Sequence, residues 1–148
     1  MQTPSQVSDC VEAFKIPLYS EDDYPKVVIM SNLLGINNLH KEIREKGGAY
    51  SAGASPSDNG TCVLYSFRDP DPNRTYLAFE KGIVNISKGN FSDNDIKEAK
   101  IFTFSHVDKI INPSNKGLVY FIRNMTEEEI NSFRRKLMNV TREVKYIL

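Results

Sequence analysis

The chain has 148 residues, enough for one domain with a real core, and its 40% hydrophobic and 26% charged residues exclude a disordered chain. Nineteen basic side chains balance nineteen acidic ones, which gives no support to a nucleic-acid or membrane-surface role. No apolar run approaches the roughly 20 residues needed to span a bilayer.

The segment Met1 to Asp9 is polar and has neither an apolar signal core nor an Arg-rich amphipathic presequence, so no import signal is visible. Val7 to Ile16 mixes Val, Phe and Ile with polar residues and stops at Pro17, the pattern of a strand. Asp22 or Asp23 then offers an N-cap with Pro25 in the first turn, and a helix is expected through about Glu45. Val27, Val28, Met30 and Leu34 give it a wide apolar face, so much of it should be buried. Gly47-Gly48 suits a left-handed helix end.

Ala49 to Ala54 and Thr61 to Phe67 read as two strands joined in a hairpin, with Asn59-Gly60 as the turn. In the second, Val63, Tyr65 and Phe67 face one way and Cys62, Leu64 and Ser66 the other. Four helical stretches follow. The loop Asp69-Pro70-Asp71-Pro72 leads into the first, whose apolar face is Tyr76, Phe79, Ile83 and Ile86. Ser92 begins the second, with Ile96, Ala99, Thr103, Val107 and Ile110 in helical spacing. Pro113-Ser114 opens a short third through about Arg123, and Thr126 with Glu129 forms a capping-box pattern for the fourth. Thr141 could cap one more. This order predicts an α+β fold of two layers, an antiparallel or mixed sheet with helices packed on one face. Three strands make a thin sheet for so many helices, which suggests that sheet neighbours are missing.

Several catalytic arrangements are absent from the sequence. His40 and His106 belong to neither His-x-x-Glu-His nor His-Glu-x-x-His, and there is no Gly-x-Ser-x-Gly elbow and no phosphate loop. Cys10 and Cys62 lie far apart without a CxxC and read as two reduced structural thiols, with a disulfide between them left open by the sequence. The informative stretch is Leu39-His40-Lys41-Glu42-Ile43-Arg44-Glu45-Lys46-Gly47-Gly48-Ala49-Tyr50: a helix end, a glycine turn and a strand start. The turn brings Arg44 and Tyr50 to the same helix-strand junction. A guanidinium and a phenol there could hydrogen-bond a peptide carbonyl or an oxyanion developing on it. They could equally be a solvated Arg near a helix C-terminus and a half-buried strand Tyr.

The segment His40 to Tyr50 resembles the motif His/Pro-x-Glu-Ile-Arg-Glu-Lys-Gly-Gly-Ala-Tyr of the presequence-protease branch of the pitrilysin/insulinase-like zinc metallopeptidases, which includes falcilysin. Tyr65-Ser66-Phe67-Arg68-Asp69-Pro70 is similar to that family's Tyr-Ser-Tyr-Arg-Asp-Pro, and Asp95 to Lys100 and Pro113 to Gly117 also look like family positions. Together these cover most of the chain, from about Val7 to Thr141, in the family's order. The chain departs from the family where the glycine run after Tyr becomes Ser51-Ala52-Gly53-Ala54, and where the Ala-Pro after Val107-Asp108 is replaced by Lys109-Ile110.

The resemblance implies a piece, residues 1–148, of the C-terminal half of a two-halved enzyme. The N-terminal half of such an enzyme carries the zinc and the C-terminal half closes on the peptide. It implies that Arg44 and Tyr50 contact substrate near the scissile bond. It implies no cofactor in this chain, zinc in the intact enzyme, and a peptide substrate of the targeting-peptide or short unstructured kind. The partner would be the zinc-carrying half in cis or trans, with no nucleic acid or membrane, in a mitochondrion or plastid-like organelle. An incomplete domain should also expose a sheet edge through which it could self-associate. The rival readings are a non-catalytic peptide-binding module and an incomplete gene product.

Overall fold

The computed structural model describes residues 6–110, 112, 115, 117–123 and 125–142. The chain begins with strand β1 (Ser8–Lys15), passes through helix α1 (Tyr24–Leu34) and a π-helix (Gly35–Glu45), and returns in strands β2 (Ser51–Ser57) and β3 (Thr61–Asp69). Helices α2 (Pro72–Ser87), α3 (Asp93–Val107), α4 (Leu118–Arg123) and α5 (Glu127–Met138) follow. The sheet order is β1-β3-β2 with both pairings antiparallel, so β3 is central and β1 and β2 are its edges.

The alternation in β3 decides which side the helices cover. Cys62, Leu64 and Ser66 are buried, whereas Tyr65 and Phe67 on the opposite face are exposed. One face of the sheet therefore carries the helices and the other is open, as the α+β expectation requires. Helix α1 lies against β2 on its inner side and against α3 and α5 on its outer side. Flanked in this way, it buries Val27, Val28, Ile29, Met30, Leu33 and Leu34 around almost its whole circumference. Helix α2 runs against the π-helix, β1 and β3, and Phe79 and Ile86 enter the shared core from it.

Polar groups in this core are paired. Asn32 Nδ2 donates to Thr103 Oγ1 at 2.7 Å, and Thr103 Oγ1 donates to the Ala99 carbonyl at 2.7 Å. The two cysteines are free and buried, and on the inner face of the sheet Cys10 sits opposite Ser66 while Cys62 sits opposite Phe14. Four register positions separate them, on the order of 13 Å along the strand, too far for a disulfide. Burial pushes the Cys62 thiol up, with the Ser31 hydroxyl 3.6 Å from its sulfur.

Several elements differ from the sequence reading. The helix expected through Glu45 changes its winding at Gly35, where its backbone meets β2: a Cβ on Gly35 would lie 3.5 Å from the Ala54 nitrogen. From there to Glu45 it is a π-helix with wider turns, such as Lys46 N–H to the Lys41 carbonyl. Strand β2 runs on through Pro56 to Ser57, into residues expected to form the loop. It is an edge strand, where a proline's missing donor is tolerated. The Asn59-Gly60 turn forms as expected, with Gly60 at φ +82°.

On α2 the buried line is Thr75, Phe79, Gly82 and Ile86. Tyr76 is exposed and Ile83 only half-buried, because the Thr75 hydroxyl and the bare Gly82 are the groups that face inward. Ile110 lies beyond the end of α3 and is 94% exposed. Ser92 and Thr126 each cap a helix in a reciprocal capping box, with Asp95 and Glu129 as partners. Residues 113 and 114, expected to open α4, lie outside the described residues, as do residues 143–148 after Thr141. No helix among the described residues is long and apolar enough to cross a membrane.

Candidate functional site

The junction between the π-helix and β2 is closed by backbone bonds. Gly48 N–H donates to the Arg44 carbonyl and Ala49 N–H to the Ile43 carbonyl, both at 3.1 Å. Gly48 is at φ +82°, a left-handed conformation that a side chain would strain. Gly47 is needed for another reason: a Cβ there would stand 2.4 Å from the Ile43 carbonyl oxygen. The pair of bonds resembles a Schellman closure widened to suit the π-helix. Two residues later Tyr50 N–H donates to the Phe67 carbonyl at 3.0 Å, which seats the chain against the end of β3.

The two sequence motifs, about twenty residues apart, meet at this point. The rings of Tyr50 and Phe67 stand edge to face with centroids 6.1 Å apart. Pro70 Cγ lies 3.7 Å from where a Gly48 Cβ would be. Arg74, in the first turn of α2, donates from Nη1 to the Lys46 carbonyl at 3.1 Å and ties α2 to the end of the π-helix.

Asp69 anchors this corner. Its buried carboxylate accepts from Ser66 Oγ at 2.6 Å, Thr75 Oγ1 at 2.5 Å and the Asp71 N–H at 2.9 Å. Burial pushes its carboxyl up, but those three bonds outweigh burial and hold it below the ordinary carboxylate range. Just before it, the pairing of β1 with β3 slips by one residue and Arg68 adopts φ +50°. The Arg68 N–H freed by this bulge donates to Asp9 Oδ1 at 2.9 Å. Sequence reasoning missed Asp69 and Arg74 as supports of the site. The signals were present: a Ser-x-x-Asp spacing at the end of a strand, and a basic residue in the first turn of a helix, where the dipole does not favour it.

Arg44 and Tyr50, the two residues singled out from the sequence, are both solvent-exposed at this junction. Tyr50 is 68% exposed. No hydrogen bond joins their side chains. Instead Arg44 Nη1 reaches back along the helix to His40 Nε2 at 2.7 Å, and His40 Nδ1 lies 3.1 Å from Glu45 Oε1. A guanidinium can only donate, so His40 Nε2 must accept and Nδ1 must carry the hydrogen given to Glu45. This arrangement requires a neutral imidazole. The other charges nearby face elsewhere: Glu42 on the same helix holds Lys46 and feels Arg74 and Lys81 of α2, and Lys41 faces Asp95 of α3.

A catalytic zinc takes three protein ligands. Among the described residues no group of three or more His, Cys, Asp or Glu could hold a metal ion. The ring of His106 lies on Phe102, on a different helix from His40.

The sequence profile described as the PreP C-terminal domain matches residues 4–147. The chain belongs to the PreP C-terminal domain family. It is similar to the mitochondrial presequence proteases of Danio rerio (40% identity, covering 91% of this chain and 13% of that protein) and Mus musculus (36%, 93% and 13%). That of Schizosaccharomyces pombe is 39% identical over 83% of this chain and 12% of its own length. The chain thus spans about 13% of the length of the curated relatives it matches.

Its fold is shared with an inactive peptidase domain from Bordetella parapertussis, at TM-score 0.76 and 12% identity, covering 95% of this chain and 84% of that one. A protease from Helicobacter pylori superposes at TM-score 0.75 with 13% identity, covering 98% of this chain and 38% of the other.

Proposed function

We propose that residues 1–148 act as one unit, the substrate-gripping portion of the C-terminal half of a presequence-protease-type zinc metalloendopeptidase. Its substrates are targeting peptides and other short unstructured peptides, and its place is the mitochondrion, as the names of its relatives suggest. The zinc is supplied by an N-terminal half, in cis or in trans, and the chain alone does not cleave peptides. Arg44 and Tyr50 donate hydrogen bonds to the peptide carbonyl near the scissile bond and to the oxyanion that develops on it.

The observation that carries this reading is the exposure of both donors on either side of one rigid junction. The tyrosine is 68% exposed although apolar rings favour burial, and the junction beneath it is fixed by backbone bonds, Asp69 and Arg74. Donors held on a rigid corner need little reorganisation when charge develops. The edge strands β1 and β2 keep backbone groups that could pair with a strand of the other half or of a second copy, and light scattering over a concentration series reads the latter.

The test is reconstitution with a zinc-carrying N-terminal half and a quenched-peptide assay. Arg44→Ala and Tyr50→Phe should each lower turnover by about 10²–10³, with far-ultraviolet dichroism unchanged. Full turnover in both variants would return the two residues to ordinary surface roles, and chelator-sensitive cleavage by the homogeneous chain alone would refute its dependence on another zinc-bearing segment.

A further inference from the structure

The π-helical winding at Gly35–Glu45 places on one face a set of residues that an α-helix would not bring together. In an α-helix the neighbours of His40 along the face are three and four residues away. Here Arg44, four residues on, and Glu45, five residues on, both reach the same imidazole, one at each ring nitrogen. The three side chains form a directed chain: guanidinium to Nε2, then Nδ1–H to carboxylate. All of it lies at the end of the helix that leads into the Gly47-Gly48 turn.

We propose that His40 is the positioning residue for Arg44, with Glu45 fixing the tautomer that lets it accept. The inference rests on the reading of Arg44 as a peptide-contacting donor. An exposed Arg samples many rotamers, and ordering it on binding costs affinity or rate. With Nη1 held by His40, the remaining N–H groups of the planar fork keep one orientation and stay available to a carbonyl. Glu45 supplies the acceptor that keeps the hydrogen on Nδ1. Without it the tether would compete with the tautomer carrying its hydrogen on Nε2, which cannot accept from Arg44.

The experiment has a kinetic arm and a spectroscopic arm. In the enzyme reconstituted with its zinc-carrying half, His40→Ala should lower kcat by about 3- to 10-fold with a smaller change in KM, the scale of one freed rotamer-rich side chain. His40→Gln keeps an acceptor within reach of Arg44 and should recover most of the loss. In an Arg44→Ala background, His40→Ala should have no further effect, because its action runs through Arg44. In the chain itself, nitrogen-15 spectra of His40 should show the hydrogen on Nδ1 and an accepting Nε2, and Glu45→Ala should release it to a tautomer mixture.

A full His40→Ala effect persisting without Arg44 would overturn the proposal, as would an unimpaired His40→Ala when Arg44→Ala is impaired. Wild-type turnover in Arg44→Ala would instead sink the substrate role of Arg44, and the positioning role with it. A hydrogen found on Nε2 of His40 would refute the tether whatever the kinetics.

Discussion

The ring of Tyr65 lies across Gly53, its partner on edge strand β2: a Cβ at Gly53 would stand 2.8 Å from the Tyr65 hydroxyl oxygen and 3.0 Å from Cζ. The pair lies on the open face of the sheet. An aromatic ring over a strand glycine covers backbone that would otherwise be wet, and here it leaves Gly53 buried on a face with no helix above it.

Gly53→Ala should therefore destabilise the chain by about 1–2 kcal/mol, since the ring must swing off its seat to make room. Tyr65→Ala removes the obstacle. The double variant should be markedly more stable than the sum of the two single losses. Urea midpoints at constant slope measure this. Strict additivity would mean that the ring and the glycine do not share this space.

At Gly82 two effects oppose each other. Alanine in a helix interior gains about 1 kcal/mol over glycine. A Cβ at Gly82 would, however, sit 2.7 Å from Leu34 Cδ1 and 3.5 Å from Leu39 Cδ2, and both leucines are fully buried. Overpacking of a tight core costs about 1–3 kcal/mol. The Leu34 methyl would have to move within a fully buried core, so the loss should win by about 1 kcal/mol. A higher urea midpoint for Gly82→Ala would show that α2 can shift away from α1 and the π-helix.

Asp69 sets the third expectation. Its carboxyl is held below its ordinary range in the folded chain, so the folded state binds its proton more weakly than the unfolded state does. The stabilisation is then fully present above the unfolded value, about pH 4, and is lost as pH falls through the lower folded value. Asp69→Asn keeps one acceptor oxygen but gives up the charge-assisted bonds from Ser66, Thr75 and Asp71. It should cost about 1–3 kcal/mol at pH 7. Below pH 4 the difference from the parent should narrow. A constant difference from pH 7 down to pH 3 would contradict the assignment of the charge to these three bonds.

Periodicity made most of the element list legible before any coordinates, because it reports which side of a strand or helix is apolar. The alternation of Cys62, Leu64 and Ser66 against Tyr65 and Phe67 separated the two faces of β3. The reciprocal bonds at Thr126 and Glu129 could be read from their spacing alone, since a capping box is local. Gly48 at φ +82° was likewise foreseeable, for a helix that must turn at once into a strand needs a residue free of Cβ strain. The helix end, glycine turn and strand start read from the residues put Arg44 and Tyr50 at a helix-strand junction, and the chain places them there.

What only the tertiary structure decided arises from contacts between segments distant in sequence. No local pattern said that β3 would be central, that Gly35 would meet β2, or that the helix would widen there into a π-helix. Because of that widening, His40 reaches both Arg44 and Glu45, a face that α-helical spacing does not contain. Nor could spacing show that Arg74, from the first turn of α2, would reach the Lys46 carbonyl beside the Gly47-Gly48 turn. Local propensity acts over a few residues, whereas the contact of His40 with Glu45, five residues on, depends on the wider winding that the folded helix adopts.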